Sequence, residues 1–182
     1  MLHRFAALLA FSCLALLAFP AFAADPEGHV SLGLLAGYGV ATEPNVLGPG
    51  AGVRLGYTFP FGLYTGVVGL AHLGTQDDGE PNTPHHRAQS LRAELGYDIH
   101  VPYFTLRPAL SFGAARVDTT RDDVRHFITP DFGLGLSLLH PIGHYFIGAS
   151  AEARYLSRPV HNGDDFFPIE TFAAYGTVGY TF

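Results

Sequence analysis

Residues 171–182 read TFAAYGTVGYTF. Successive side chains of an extended strand point to opposite sides. Phe172, Ala174, Val178, Tyr180 and Phe182 therefore share one face, and Thr171, Ala173, Tyr175, Thr177 and Thr181 share the other. One face is apolar and ends in aromatic rings, while the other is mostly small and hydroxylated. Working back along the chain, this period-2 pattern recurs in segments of about ten residues, the length at which a tilted strand crosses a bilayer.

Seven further segments share it. In residues 30–39, Val30, Leu32, Leu34, Ala36 and Tyr38 oppose Ser31, Gly33, Leu35, Gly37 and Gly39. In 51–59, Ala51, Val53, Leu55, Tyr57 and Phe59 alternate with Gly52, Arg54, Gly56 and Thr58. Residues 63–73 are ambiguous in phase, and Tyr64, Val68 and Leu70 are placed on the apolar face. Leu91, Ala93, Leu95, Tyr97 and Ile99 then oppose Ser90, Arg92, Glu94, Gly96 and Asp98. Phe104, Leu106, Pro108, Leu110 and Phe112 oppose Thr105, Arg107, Ala109, Ser111 and Gly113, with Pro108 requiring a bulge or a break in the ladder. Ile128, Phe132, Leu134, Leu136 and Leu138 oppose Thr129, Asp131, Gly133, Gly135 and Ser137. Tyr145, Ile147, Ala149, Ala151 and Tyr155 oppose Gly148, Ser150, Glu152 and Arg154. Eight antiparallel strands in an up-and-down barrel are expected, in one domain spanning residues 24–182.

The connections alternate in length. Residues 60–62, 100–103 and 140–144 are short; 40–49, 74–87, 117–127 and 157–168 are longer and rich in Pro, Asp, Asn and Gly. Short turns on one side and long loops on the other are expected of an outer-membrane barrel, with the short side periplasmic.

Residues 1–23 read as a secretory signal peptide: His3 and Arg4 precede an apolar run from Phe5 to Phe19, and Ala21-Phe22-Ala23 supplies small residues for cleavage. The run is too short for a membrane-spanning helix, which needs about 20 residues. Cys13 could mark a lipidation site, but Phe11 is bulky where such signals prefer a small residue. Removal leaves 159 residues and no cysteine, so disulfides and thiolate metal sites are excluded. The mature chain then carries nine arginines, no lysine and sixteen acidic residues. That balance argues against a nucleic-acid partner, which requires a basic surface.

Alternation alone does not say which face meets solvent; a soluble lipocalin-like barrel would put the charged face outside. Three features favour the inverse. The polar face is largely Gly, Ser, Thr and Ala, which suits the narrow lumen of eight strands. The apolar face carries Tyr57, Phe59, Tyr64, Tyr97, Phe104, Tyr145, Tyr180 and Phe182 toward the short turns, an aromatic girdle at one membrane interface. Tyr38, Phe112, Phe132, Tyr155 and Phe172 form a thinner set toward the long loops. Finally, Val178-x-Tyr180-x-Phe182 resembles the C-terminal signal read by the outer-membrane assembly machinery of Gram-negative bacteria.

With these residues in place, the chain resembles the small outer-membrane barrels of the OmpA transmembrane-domain and OmpX type over essentially the whole mature sequence. The resemblance rests on architecture and on the terminal strand, not on an internal motif. It implies a monomer among outer-membrane lipids and lipopolysaccharide, with porin-like architecture. Unlike full-length OmpA, no peptidoglycan-binding domain is expected after the last strand.

The inward phase collects Arg54, Arg92, Glu94, Arg107, Glu152 and Arg154, together with Asp98 and Asp131. Ionised groups in a narrow lumen must be paired, so cross-barrel ion pairs are expected. They can be read as a salt-bridged plug or as a gated ion path. Histidines 85, 86, 126 and 161, with Asp77, Asp78 and Glu80, lack the spacing of a structural or catalytic zinc site, and no metal or cofactor is expected. His100, His140 and His144 read as interfacial polar caps. The loop acids, including Asp118, Asp122, Asp123, Asp164 and Asp165, could meet the divalent cations that bridge lipopolysaccharide or simply solvate the loops. A lipid A-modifying enzyme needs a Ser-His-acid set on the lipid-facing wall, and the one candidate, His29-Val30-Ser31, has its serine inward. The expected role is non-enzymatic, structural or surface-interacting, with a narrow pore and lipid modification as alternatives.

Overall fold

A computed structural model describes residues 28–41, 47–74, 86–119, 126–159 and 166–182. The expected signal peptide, the histidines at 85 and 161 and most of the loop acids lie outside the described residues, as do the side chains of His86 and His126. The strands are β1 (His29–Ala41), β2 (Gly48–Thr58), β3 (Leu63–His72), β4 (His86–Tyr97), β5 (Ile99–Val101), β6 (Phe104–Thr119), β7 (His126–Ile142), β8 (Tyr145–Pro159) and β9 (Phe166–Thr181). All pairings are antiparallel, and β4 pairs with both β3 and β6, which closes the sheet. The short β5 continues β4 in one register against β6, since Gly96 faces Ala109 and Ile99 faces Leu106. The chain is therefore a closed barrel of eight antiparallel strands.

Closure follows from the register. Partners taken from Ser31 run through Gly56, Gly66, Glu94, Ser111, Gly133, Arg154 and Thr171 and return to β1 at Ala41. The return is ten residues along from Ser31, which is the shear of the barrel. For eight strands such a stagger goes with a strand tilt of roughly 35–45° and an interior just wide enough for side chains to fill.

The turns explain the meander. Gly143 (φ 63°) and His144 link Ile142 to Tyr145 as a two-residue hairpin with positive φ at the first central position only, the type II′ pattern. Pro102 and Tyr103 (φ 83°) link Val101 to Phe104 with the left-handed residue second, as in a type II turn. His140, expected in a turn, is instead a strand residue whose ring nitrogen Nδ1 donates to the Tyr103 carbonyl at 2.6 Å. Strands β6 to β9 run for 15–17 residues, well past the ten expected from the apolar pattern. In β6, β8 and β9 the excess lies at the long-loop end, whereas in β7 most of it, residues 139–142, lies at the short-turn end. At the long-loop end β7 and β8 stop pairing at Asp131 and Leu156, and the free edges carry Pro130 and Pro159, which lack the donor that edge-to-edge pairing needs.

The third strand corrects the sequence reading. Tyr64 and Val68 are wholly buried and Leu70 nearly so; all three point into the lumen, so Tyr64 is not part of the aromatic girdle. The outward residues of β3 are Thr65, Val67 and Ala71. The reason is volume. A Cβ added at Gly56 would lie 2.3 Å from the Tyr64 ring, and one at Gly66 would lie 2.4 Å from its hydroxyl. The two glycines face each other across β2 and β3 and vacate the space the ring occupies. Gly56→Ala is expected to destabilise the barrel by about 1–3 kcal/mol through overpacking, read from urea unfolding in lipid vesicles. A change below about 0.5 kcal/mol would show that the ring does not need that space.

Candidate functional site

The outer wall is apolar from end to end of the belt. Leu32, Leu34, Val53, Leu55, Leu91, Leu95, Leu136, Leu138, Ile147 and Val178 are exposed, an arrangement a water-soluble surface would not carry. At the short-turn end the girdle residues meet one another. Tyr57 packs edge-on against Phe59, and Phe59 stacks on Phe61. Tyr180 contacts Tyr145, Phe182 and the His144 ring, with Phe182 70% exposed at the end of the chain. Tyr97 is half-buried beside the β2–β3 turn, where the Asp98 amide donates to the Gly62 carbonyl. Phe104 packs against His140. Val178 faces outward on the same strand as Tyr180 and Phe182.

Inside, the structure brings the sequence-selected charges together. Nearest the short turns, Asp98 accepts from Arg107 through Nε (2.5 Å) and Nη2 (2.8 Å) and from the Thr58 hydroxyl (3.0 Å). Asp98 lies directly across the strand pair from Arg107, which is why the fork is reached without distortion. The Arg107 guanidinium lies 3.7 Å from the centroid of the Tyr64 ring, and the Tyr64 hydroxyl donates to Glu94 at 3.2 Å. Tyr64 thus joins the lowest ion pair to the next layer. Its inward phase was hidden because both faces of residues 63–73 are apolar; the facing glycines at 56 and 66 were the signal available.

Toward the long loops the network continues. Glu94 binds Arg54 (2.9 and 3.1 Å), and Arg54 lies 3.6 Å from Glu152. Arg92 donates to Glu152 (2.8 Å) and Ser111 (3.0 Å) and lies 3.7 Å from Asp131, which also receives Arg154. Above this, the Tyr175 hydroxyl meets His72 Nε2 at 3.1 Å. Among the described residues the lumen holds four arginines and four carboxylates, all buried, so its fixed charges cancel. Leu35, Val68 and Leu70 fill the wall on β1 and β3, and Leu47, Ala88, Ala115, Val117 and Leu156 form an apolar cap at the long-loop mouth. At the other mouth Phe146 turns inward over Gly33 and Gly179.

Two shallow grooves of about 680 Å³ each lie on the outer wall, floored by small residues such as Ala149, Ala151 and Ala174. His140 lines the lower one, whose lining holds no serine and no carboxylate. Ser31, the serine of the His-x-Ser triplet, is buried on the lumen side. No cluster of three or more metal-ligating side chains occurs among the described residues.

A closed eight-stranded antiparallel barrel with an apolar outer wall, aromatic girdles and a charged interior defines the class: the fold is that of the small outer-membrane β-barrels. Solved structures share this fold. The chain is similar to Neisserial surface protein A at TM-score 0.63 and 10% identity, over 85% of this chain and 97% of that one. It is similar to a major outer membrane protein of Thermus thermophilus at TM-score 0.56 and 9% identity, over 85% and 99%. It is also similar to Ail, the attachment invasion locus protein of Yersinia pestis, at TM-score 0.51 and 17% identity, over 87% and 99%. No protein-family model matches the chain, and no curated protein matches it.

Proposed function

We propose that this protein is a monomeric, non-enzymatic barrel of the outer membrane whose lumen is closed by a salt-bridged plug. Its role is structural or one of surface interaction. The observation that carries this reading is the complete pairing of four arginines with four carboxylates in the lumen, all of them buried. An ion crossing the lumen would have to displace these partners, and a buried charge left alone costs several kcal/mol. Apolar caps at both mouths add to the barrier. On the outer wall, the groove beside His140 is lined by no serine or carboxylate, and its one hydroxyl residue, Thr177, is buried on the lumen side. The chain reaches its place by export on residues 1–23 and by the assembly machinery acting on Val178, Tyr180 and Phe182. Its surroundings there are outer-membrane lipids and lipopolysaccharide.

The test is planar-bilayer conductance of the refolded protein. Wild type is expected to give a closed baseline. Steady single-channel steps that vanish in Arg92→Ala or Glu94→Ala would overturn the plug in favour of a narrow pore. A change in lipid A mass in cells carrying the protein would overturn the non-enzymatic reading.

A further inference from the structure

Arginine is this chain's only strongly basic residue, and its placement is uneven. Of the six arginines with described side chains, four (Arg54, Arg92, Arg107, Arg154) are buried in the lumen and ion-paired. The other two, Arg87 and Arg116, are exposed on the outer wall and stand side by side. Arg87 faces Asp118 and Gln89 faces Arg116 across β4 and β6, so the two arginines are diagonal cross-strand neighbours, within reach of one another's long side chains. Among the described residues, Arg116 gives only Nε to Asp118, at 2.9 Å, and Arg87 makes no ion pair or hydrogen bond. Two guanidinium edges are thus left facing outward.

Their height on the wall decides what they meet. Below them the outward residues are Leu91 and Phe112, the top of the apolar belt. Arg116 lies four residues above Phe112 on β6, and Arg87 four above Leu91 on β4. Elsewhere on the rim the outward described residues are Val40 on β1, Leu73 beyond β3, Ile128 on β7 and the acidic Glu170 on β9, none of them basic. The basic patch therefore belongs to the β4–β6 side and sits where hydrocarbon gives way to lipid headgroups. With the short turns periplasmic, that layer is the outer leaflet. The groups a guanidinium fork fits best there are phosphates, which it binds through paired, charge-assisted hydrogen bonds.

We propose that Arg87 and Arg116 form a binding site for the phosphate groups of an outer-leaflet glycolipid of lipid A type. Asp118 holds the Arg116 side chain against β6 and leaves its terminal amino groups for the ligand. The proposal rests on the membrane orientation given above.

The test is native mass spectrometry of the refolded full barrel in detergent micelles doped with bisphosphorylated lipid A. Wild type is expected to retain the phosphorylated lipid about tenfold better than the same lipid with its phosphates removed. Arg87→Gln/Arg116→Gln is expected to abolish that preference, and Arg87→Lys/Arg116→Lys to keep part of it. Equal retention of the two lipids by wild type, or an unchanged preference in the glutamine variant, would overturn the site. Phosphatidylglycerol retained as well as lipid A, or inorganic phosphate displacing it at equal concentration, would overturn the glycolipid as its source. Orientation is checked separately: Arg87→Cys should react with an impermeant maleimide on intact cells, and failure there would sink the orientation, not the phosphate chemistry.

Discussion

Replacing Arg92 by methionine is expected to cost about 3–5 kcal/mol of stability, because it strands carboxylates in the lumen. Arg92 is 1% exposed and bridges Glu152 and Asp131 while donating to Ser111. Without it, Glu152 keeps only the longer approach of Arg54 at 3.6 Å. Adding Glu152→Met should restore most of the loss, since a buried pair replaced by apolar groups of similar volume is often neutral. The lumen then keeps three arginines and three carboxylates, still balanced. Urea unfolding of single and double variants in vesicles closes the cycle. A cost under about 1 kcal/mol for Arg92→Met alone would mean that water reaches the network, and the plug reading would lose its physical basis.

Leu34→Arg should be nearly as damaging, for an unrelated reason. Leu34 is 58% exposed on the outer wall and is flanked by Val53 and Val178 in register, midway between the two aromatic sets. An arginine near the bilayer midplane of a barrel costs about 2–4 kcal/mol, while near the interface the cost falls to about 0–1 kcal/mol. Ile128→Arg, at a site 74% exposed above Phe132, should therefore fold almost as wild type does. Equal tolerance of both changes in vesicles would show that the apolar wall does not face lipid.

The legibility of this chain followed its period. Where one face is apolar and the other is small or charged, as at 51–59, 90–99 and 171–182, one residue of slippage would put arginine or threonine into hydrocarbon, so phase is over-determined. In residues 63–73 Leu63, Val67 and Leu73 occupy one phase and Tyr64, Val68 and Leu70 the other, so slippage carries no such penalty. That strand was read in the wrong phase at Tyr64, Val68 and Leu70. Strand ends were equally hidden beyond the belt, where β6 and β9 extend with Arg116, Asp118 and Glu170 on the outward phase and the apolar-outward alternation stops.

By itself, the sequence determined strand number, the inward placement of Arg54, Arg92, Arg107 and Arg154 with their four acids, and the girdle around Phe182, because each depends on local alternation against a two-sided environment. Asp98 meets Arg107, and Asp131 meets Arg154, within single strand pairs, but the pairing across the lumen was decided only by closure. Arg92 and Glu152 are sixty residues apart, and the ten-residue stagger sets the level at which they face each other across the lumen. The register of β4 against β6 sets Arg87 beside Arg116 at the rim, and with β3 it turns Tyr64 into a link between Arg107 and Glu94. These are consequences of register around a closed sheet, a quantity no single strand contains.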